Sequence, residues 1–282
     1  MKSSRLGTGI SYPSGVFCVG SFSMSDPNVI GPFISAHAKL HRGDEHLQTL
    51  NDAIQEWGHP DSYEQIAKYN PERTVYGLGF KFVRKPDFIR WGLMAGDVLS
   101  NYRDALDHLV YGLAVSIHGD PPPKSGSLQF PIVDSDANWE GAIKRNRLHG
   151  LSDSMITAIK AAQPCNRTDR GGELLARLRN LSNPDKHQKI HLAAFGVQDL
   201  KKASISGLES DGELRISDDP IEDGAPFAWL IFPESHPSSM EVDLRLTARV
   251  RLTDEPPSGP ALVVVLKDIR DEVIRIVNNL EP

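Results

Sequence analysis

"NYRDALDHLVYGL", residues 101–113, decides the fold. At about 100° per residue, Leu99, Tyr102, Leu106, Leu109 and Leu113 fall on one apolar stripe, which predicts a helix packed into a core. The same stretch places Arg103, Asp104, Asp107 and His108 within six residues. Asp97, Asn101, Asp104 and His108 follow at i, i+4, i+7 and i+11 down a separate polar face. Arg103 sits at the border, about 140° from His108. The helix is expected from about Asp87, after Pro86, to Ile117, and Gly119 with the triple proline at 121–123 closes it.

Working outward, Phe33, Leu40, Leu47 and Ile54 recur every seven residues and predict a long helix from about Phe33 to Trp57. His37, His41 and His46 lie on it, but no carboxylate partner suggests a metal site, so they are read as surface histidines. Tyr76, Leu78, Phe80 and Phe82 alternate, marking a half-buried strand. Shorter helices are expected at about 152–162 and 171–182. Beyond residue 200 the period changes to two. "KASISGL" and "ELRIS" flank Glu-Ser-Asp-Gly, which reads as a hairpin turn. "FAWLIF" and the alternating "MEVDLRLTARVRL" follow as strands. Leu262, Leu266, Ile269, Val273, Ile276 and Leu280 then trace a terminal helix over about 261–280.

This pattern predicts an α+β fold: long helices packed with an antiparallel sheet built mainly from the C-terminal half. Residues 1–32, rich in Ser, Gly and Pro, read as a loose arm in which Met24 is a second candidate start. Residues 33–282 read as one domain, with a helical centre at about 87–195, a strand-rich part at about 200–255 and the terminal helix.

Composition narrows the function classes. Hydrophobic residues are 39% and charged residues 24%, enough for a packed core. The net charge of −6 argues against a chain coated for general nucleic-acid or membrane binding. From Gly141 to His191, however, ten Lys/Arg stand against four Asp/Glu. Such a segment suits phosphates, or is a solvated face of mixed charge. Cys18 and Cys165 are too few for a disulfide framework, and no apolar run nears the roughly 20 residues that span a membrane. A cytoplasmic protein with no cofactor is expected.

Two stretches carry candidate chemistry. On the central helix, Asp104 lies one turn before His108, where a carboxylate could hold and activate an imidazole. Arg103 suits a phosphate or carboxylate. The plainer reading is an Arg103–Asp107 ion pair at i, i+4 beside a solvated histidine. The second stretch is "LSNPDKHQKIH". Asn183 and Pro184 suit a helix start, and His187 and His191 share a side whether the chain continues as helix or strand. Lys186 and His187 could instead contact phosphate.

"RDALDH" resembles the Arg-x4-His signature of HEPN domains, helical units that include metal-independent ribonucleases of bacterial toxin and defence systems. The resemblance implies that Arg103 and His108 are the catalytic pair, with Asp104 as polar companion. It also implies an RNA substrate, a composite site in a homodimer, and an antitoxin or defence partner. Asn101, Tyr111, Lys186 and His187 are the expected substrate contacts, and no metal is required. Gly92 and Gly96 would let a second helix approach. A wider resemblance, to uncharacterised bacterial proteins, rests on the Ala-Leu-Asp-His helix, "FPI" at 130–132, "QP" at 163–164 and "NPDKH" at 183–187. Two alternatives remain: a non-catalytic α+β interaction protein, and a metal-dependent hydrolase using His108, His187 and His191.

Overall fold

The central helix forms because its apolar arc is wide and both ends are capped. The computed structural model describes residues 31–182, 190, 192–196, 204–205, 213–235, 242–243, 248–253 and 259–282. In it, helix α2 covers Phe88–His118. The Asp87 side chain accepts from the Arg90 amide at 3.0 Å, and the Gly119 amide, at φ +80°, donates back to Val115. Helix α1 (Ile34–Trp57) precedes it, and two strands lie between them: β1 (Tyr63–Tyr69) and β2 (Val75–Phe82). Three shorter helices follow, α3 (Asp136–Lys144), α4 (Asp153–Ala161) and α5 (Arg170–Ser182). The strands β3 (Leu192–Gly196), β4 (Ser204–Ile205), β5 (Glu213–Ile216), β6 (Pro226–Ile231), β7 (Val242–Asp243) and β8 (Ala248–Leu252) come next, then α6 (Leu262–Leu280). The architecture is α+β, with most strands in the C-terminal half.

Helices α1, α2 and α6 are held by one polar knot inside the apolar packing. The Tyr102 ring lies against Gly43, where an added Cβ would stand 2.4 Å from Cε1. That close approach carries the Tyr102 hydroxyl to Asp44, to which it donates at 2.9 Å. Arg270 grips the same carboxylate with Nε at 2.6 Å and Nη2 at 2.9 Å. Burial and the Asp44 charge push the Tyr102 phenol far above its usual range.

The main sheet runs β1-β2-β6-β5, antiparallel throughout. Leu78, Phe80, Ala228 and Leu230 are buried on its inner face. Trp57 joins sheet to helices: its ring meets Phe82 at 5.8 Å and Trp91 at 5.6 Å, and its indole N–H donates to the Arg84 carbonyl. The pairs β3–β8 and β4–β7 form two smaller ladders.

Several expectations change. Among the described residues "KASISGL" and "ELRIS" do not pair with each other, since β4 pairs with β7 and β5 with β6. Leu214 and Ile216 of β5 lie opposite Leu230 and Ala228, so the apolar match with β6 prevails over the local turn. The turn residues themselves lie outside the described residues. Strand β1 was not expected. It is an edge strand with exposed Glu64 and Lys68, which obscure its alternation. Helix α3 was also missed, although Ser135 caps it by accepting from Asn138 N.

Candidate functional site

The α2 polar face has two edges with different surroundings. On one edge stand Arg103 and Asp107, 3.2 Å apart, with side chains only 18% and 25% exposed. The segment just before α3 packs against this edge. Arg103 Nη2 donates to the Phe130 carbonyl at 2.5 Å. The Phe130 amide donates to Asp107 at 2.8 Å, and Gln129 Nε2 reaches the other carboxylate oxygen at 3.3 Å. The Arg–Asp pair thus satisfies both backbone polar groups of a fully buried residue, as a neighbouring strand would. Burial raises the Asp107 pKa although Arg103 opposes it, and burial lowers that of Arg103. Both shifts describe an ion pair whose desolvation outweighs its attraction.

On the other edge, Asp104 accepts from Lys39 of α1 at 2.7 Å. It does not pair with His108 as the sequence suggested, because the lysine reaches it across the α1–α2 contact. His108 is half-buried and makes no hydrogen bond or ion pair with any described residue. Asn101 donates to the Asp97 carbonyl of its own helix at 2.8 Å. Tyr111 donates to Asp120 at 2.6 Å, and that hydrogen bond raises its pKa. The Arg103 guanidinium is directed toward Phe130.

Lys186, His187 and His191 lie outside the described residues, so the structure does not place the second candidate stretch. Among the described residues, no group of three or more His, Cys, Asp or Glu could hold a metal ion. His37 and His41 have separate carboxylates, Glu281 at 2.8 Å and Glu45 at 3.5 Å. Gly92 does permit a close approach, but from its own chain: an added Cβ would stand 2.7 Å from the Ile190 carbonyl oxygen. Gly96 faces open space.

Two sequence landmarks acquire a physical role here. Phe130, opening "FPI", is the residue held by Arg103 and Asp107. Gln163, opening "QP", is fully buried. It accepts from the Val133 amide and donates to the Ile159 carbonyl, both at 3.0 Å. Segment 129–133 is therefore fixed to α2 at one end and to α4 at the other. The i, i+4 spacing of Arg103 and Asp107 was the available signal, but nothing local showed which backbone they would hold.

Comparison with protein-family models, with curated proteins and with solved structures gives no match. Among the described residues no helix is long and apolar enough to cross a membrane.

Proposed function

We propose that this α+β protein acts by binding a partner, with no catalysis on α2, and that its Arg-x4-His spacing combines a structural arginine with a neighbouring histidine. The supporting observation is the commitment of Arg103 to the Phe130 carbonyl and Asp107. Freeing that guanidinium for a substrate phosphate would strand a buried carboxylate and a buried carbonyl, an expensive step. The few cysteines fit a cytoplasmic location.

One observation favours a second reading, the metal-independent ribonuclease. His108 has no partner among the described residues, so its ring is available for proton transfer. In this reading Arg103, Asp104 and His108 act on RNA, with Asn101, Tyr111, Lys186 and His187 as contacts. A homodimer completes the site, and an antitoxin or defence partner regulates it.

A cleavage assay with EDTA present separates the two readings. We expect no RNA cleavage that depends on His108. Cleavage leaving 2′,3′-cyclic phosphate ends, lost about 100-fold or more in a folded His108→Ala protein, would establish the ribonuclease instead.

A further inference from the structure

The basic stretch from Gly141 to His191 divides sharply in the fold. Beyond α3, four of its described cations have carboxylate partners. Lys160 meets Asp136 at 3.2 Å, Arg179 meets Asp134 at 3.0 Å, and Arg170 meets Asp268. Arg167 is shared between Asp169 at 2.6 Å and Glu272 at 2.5 Å. In the turn after α3 the situation reverses. The charged groups of Lys144, Arg145 and Arg147 make no hydrogen bond or ion pair with any described residue.

That turn is fixed from several sides. Asn146 adopts φ +59°, its amide donates to Ile143 at 2.9 Å, and the Arg147 amide donates to Ala142 at 3.2 Å. The Gln129 amide holds the Arg147 carbonyl at 2.9 Å, and Ser127 Oγ donates to the Asn146 carbonyl at 3.3 Å. A further cation is drawn in from outside the stretch. Lys124 Nζ donates to Asn146 Oδ1 at 3.0 Å, a neutral acceptor that leaves its charge uncompensated.

We propose that Lys124, Arg145 and Arg147 form a binding site for a small polyphosphate anion, with Lys144 beside them. Asp107, the carboxylate whose charge reaches Arg147, is occupied by Arg103, Phe130 N and Gln129. Burial lowers the Arg147 pKa and the Arg145 charge adds to the effect, while Asp107 opposes it. The C-terminal dipole of α3 accounts for cations at 144 and 145. It does not account for Arg147, or for a lysine steered in from residue 124. Guanidinium forks match phosphate oxygens in pairs, and a polyphosphate carries enough charge and oxygens to engage several cations at once. The patch spans little more than one turn in a chain of net charge −6, which suits a compact anion rather than a long polyanion. The proposal holds whichever reading of α2 is correct.

The test is calorimetric titration of the full chain with sodium pyrophosphate at low ionic strength, where exposed charges are least screened. Saturable 1:1 binding is expected. It should weaken roughly tenfold or more in Arg147→Ala and in Lys124→Ala, since a charge-assisted hydrogen bond contributes about 1.5–3 kcal/mol. Arg145→Ala, at an exposed position, gives the same readout without risk to the fold, and Lys85→Ala should bind as the wild type does. No saturable binding, or binding that all three variants retain, would overturn the site.

Discussion

The two edges of α2 carry similar side chains, yet they differ in what surrounds them. At the Arg103–Asp107 edge an incoming loop without strand partners supplies one amide and one carbonyl, and the charged pair completes both. At the Asp104–His108 edge helix α1 supplies Lys39, which pairs with Asp104, and among the described residues His108 has no partner. Charged residues on a helix become structural where an irregular segment needs hydrogen bonds. Where the neighbour needs none, they stay available to solvent or to a ligand.

Removing the carboxylate should break this contrast most severely. Asp107→Ala leaves a largely buried guanidinium and the Phe130 amide unpaired, and should cost about 3 kcal/mol in chemical denaturation. A loss below about 1 kcal/mol would mean that the edge is no clasp. Arg103→Lys keeps the charge but cannot hold Phe130 and Asp107 in the same forked geometry, so a smaller loss of roughly 1–2 kcal/mol is expected.

Acidity sharpens the comparison further. Burial holds the folded-state pKa of Asp107 above the ordinary carboxyl value. Its contribution is therefore fully present below the ordinary carboxyl range and is lost as pH rises through the raised value. Urea unfolding of wild type and Asp107→Asn from about pH 3 to about pH 7 should show the wild type losing ground to the variant as pH climbs. The opposite trend would mean that Arg103 outweighs burial. The smallest effect belongs to the other edge, where His108→Ala should change stability by less than about 0.5 kcal/mol. A large loss there would show that the histidine is also part of the packing.

The sequence carries periodic faces well and pairing partners poorly. The stripe through Leu99, Leu106 and Leu113 located α2 almost to the residue, and Leu266, Ile269 and Val273 did the same for α6. Strand β1 escaped because only one of its faces packs and exposed charges interrupt the other. The pairing of β4 and β5 was misjudged because a turn motif is local, whereas the match of β5 to β6 is decided by the whole sheet. The site was legible to the same degree. The Arg103–Asp107 pair follows from spacing alone, but its hold on Phe130 depends on tertiary packing.

The strand order has a consequence for how this chain is made. Val75 pairs with Ile231, so roughly 150 residues must leave the ribosome before β2 gains its second neighbour. At 5–20 residues per second that interval is on the order of ten seconds. Through it the β1–β2 hairpin presents an open edge with Leu78 and Phe80 uncovered. Helix α2, complete much earlier and rich in local contacts, is placed to shelter that hairpin through Trp57, whose ring meets both Phe82 and Trp91, until β6 arrives.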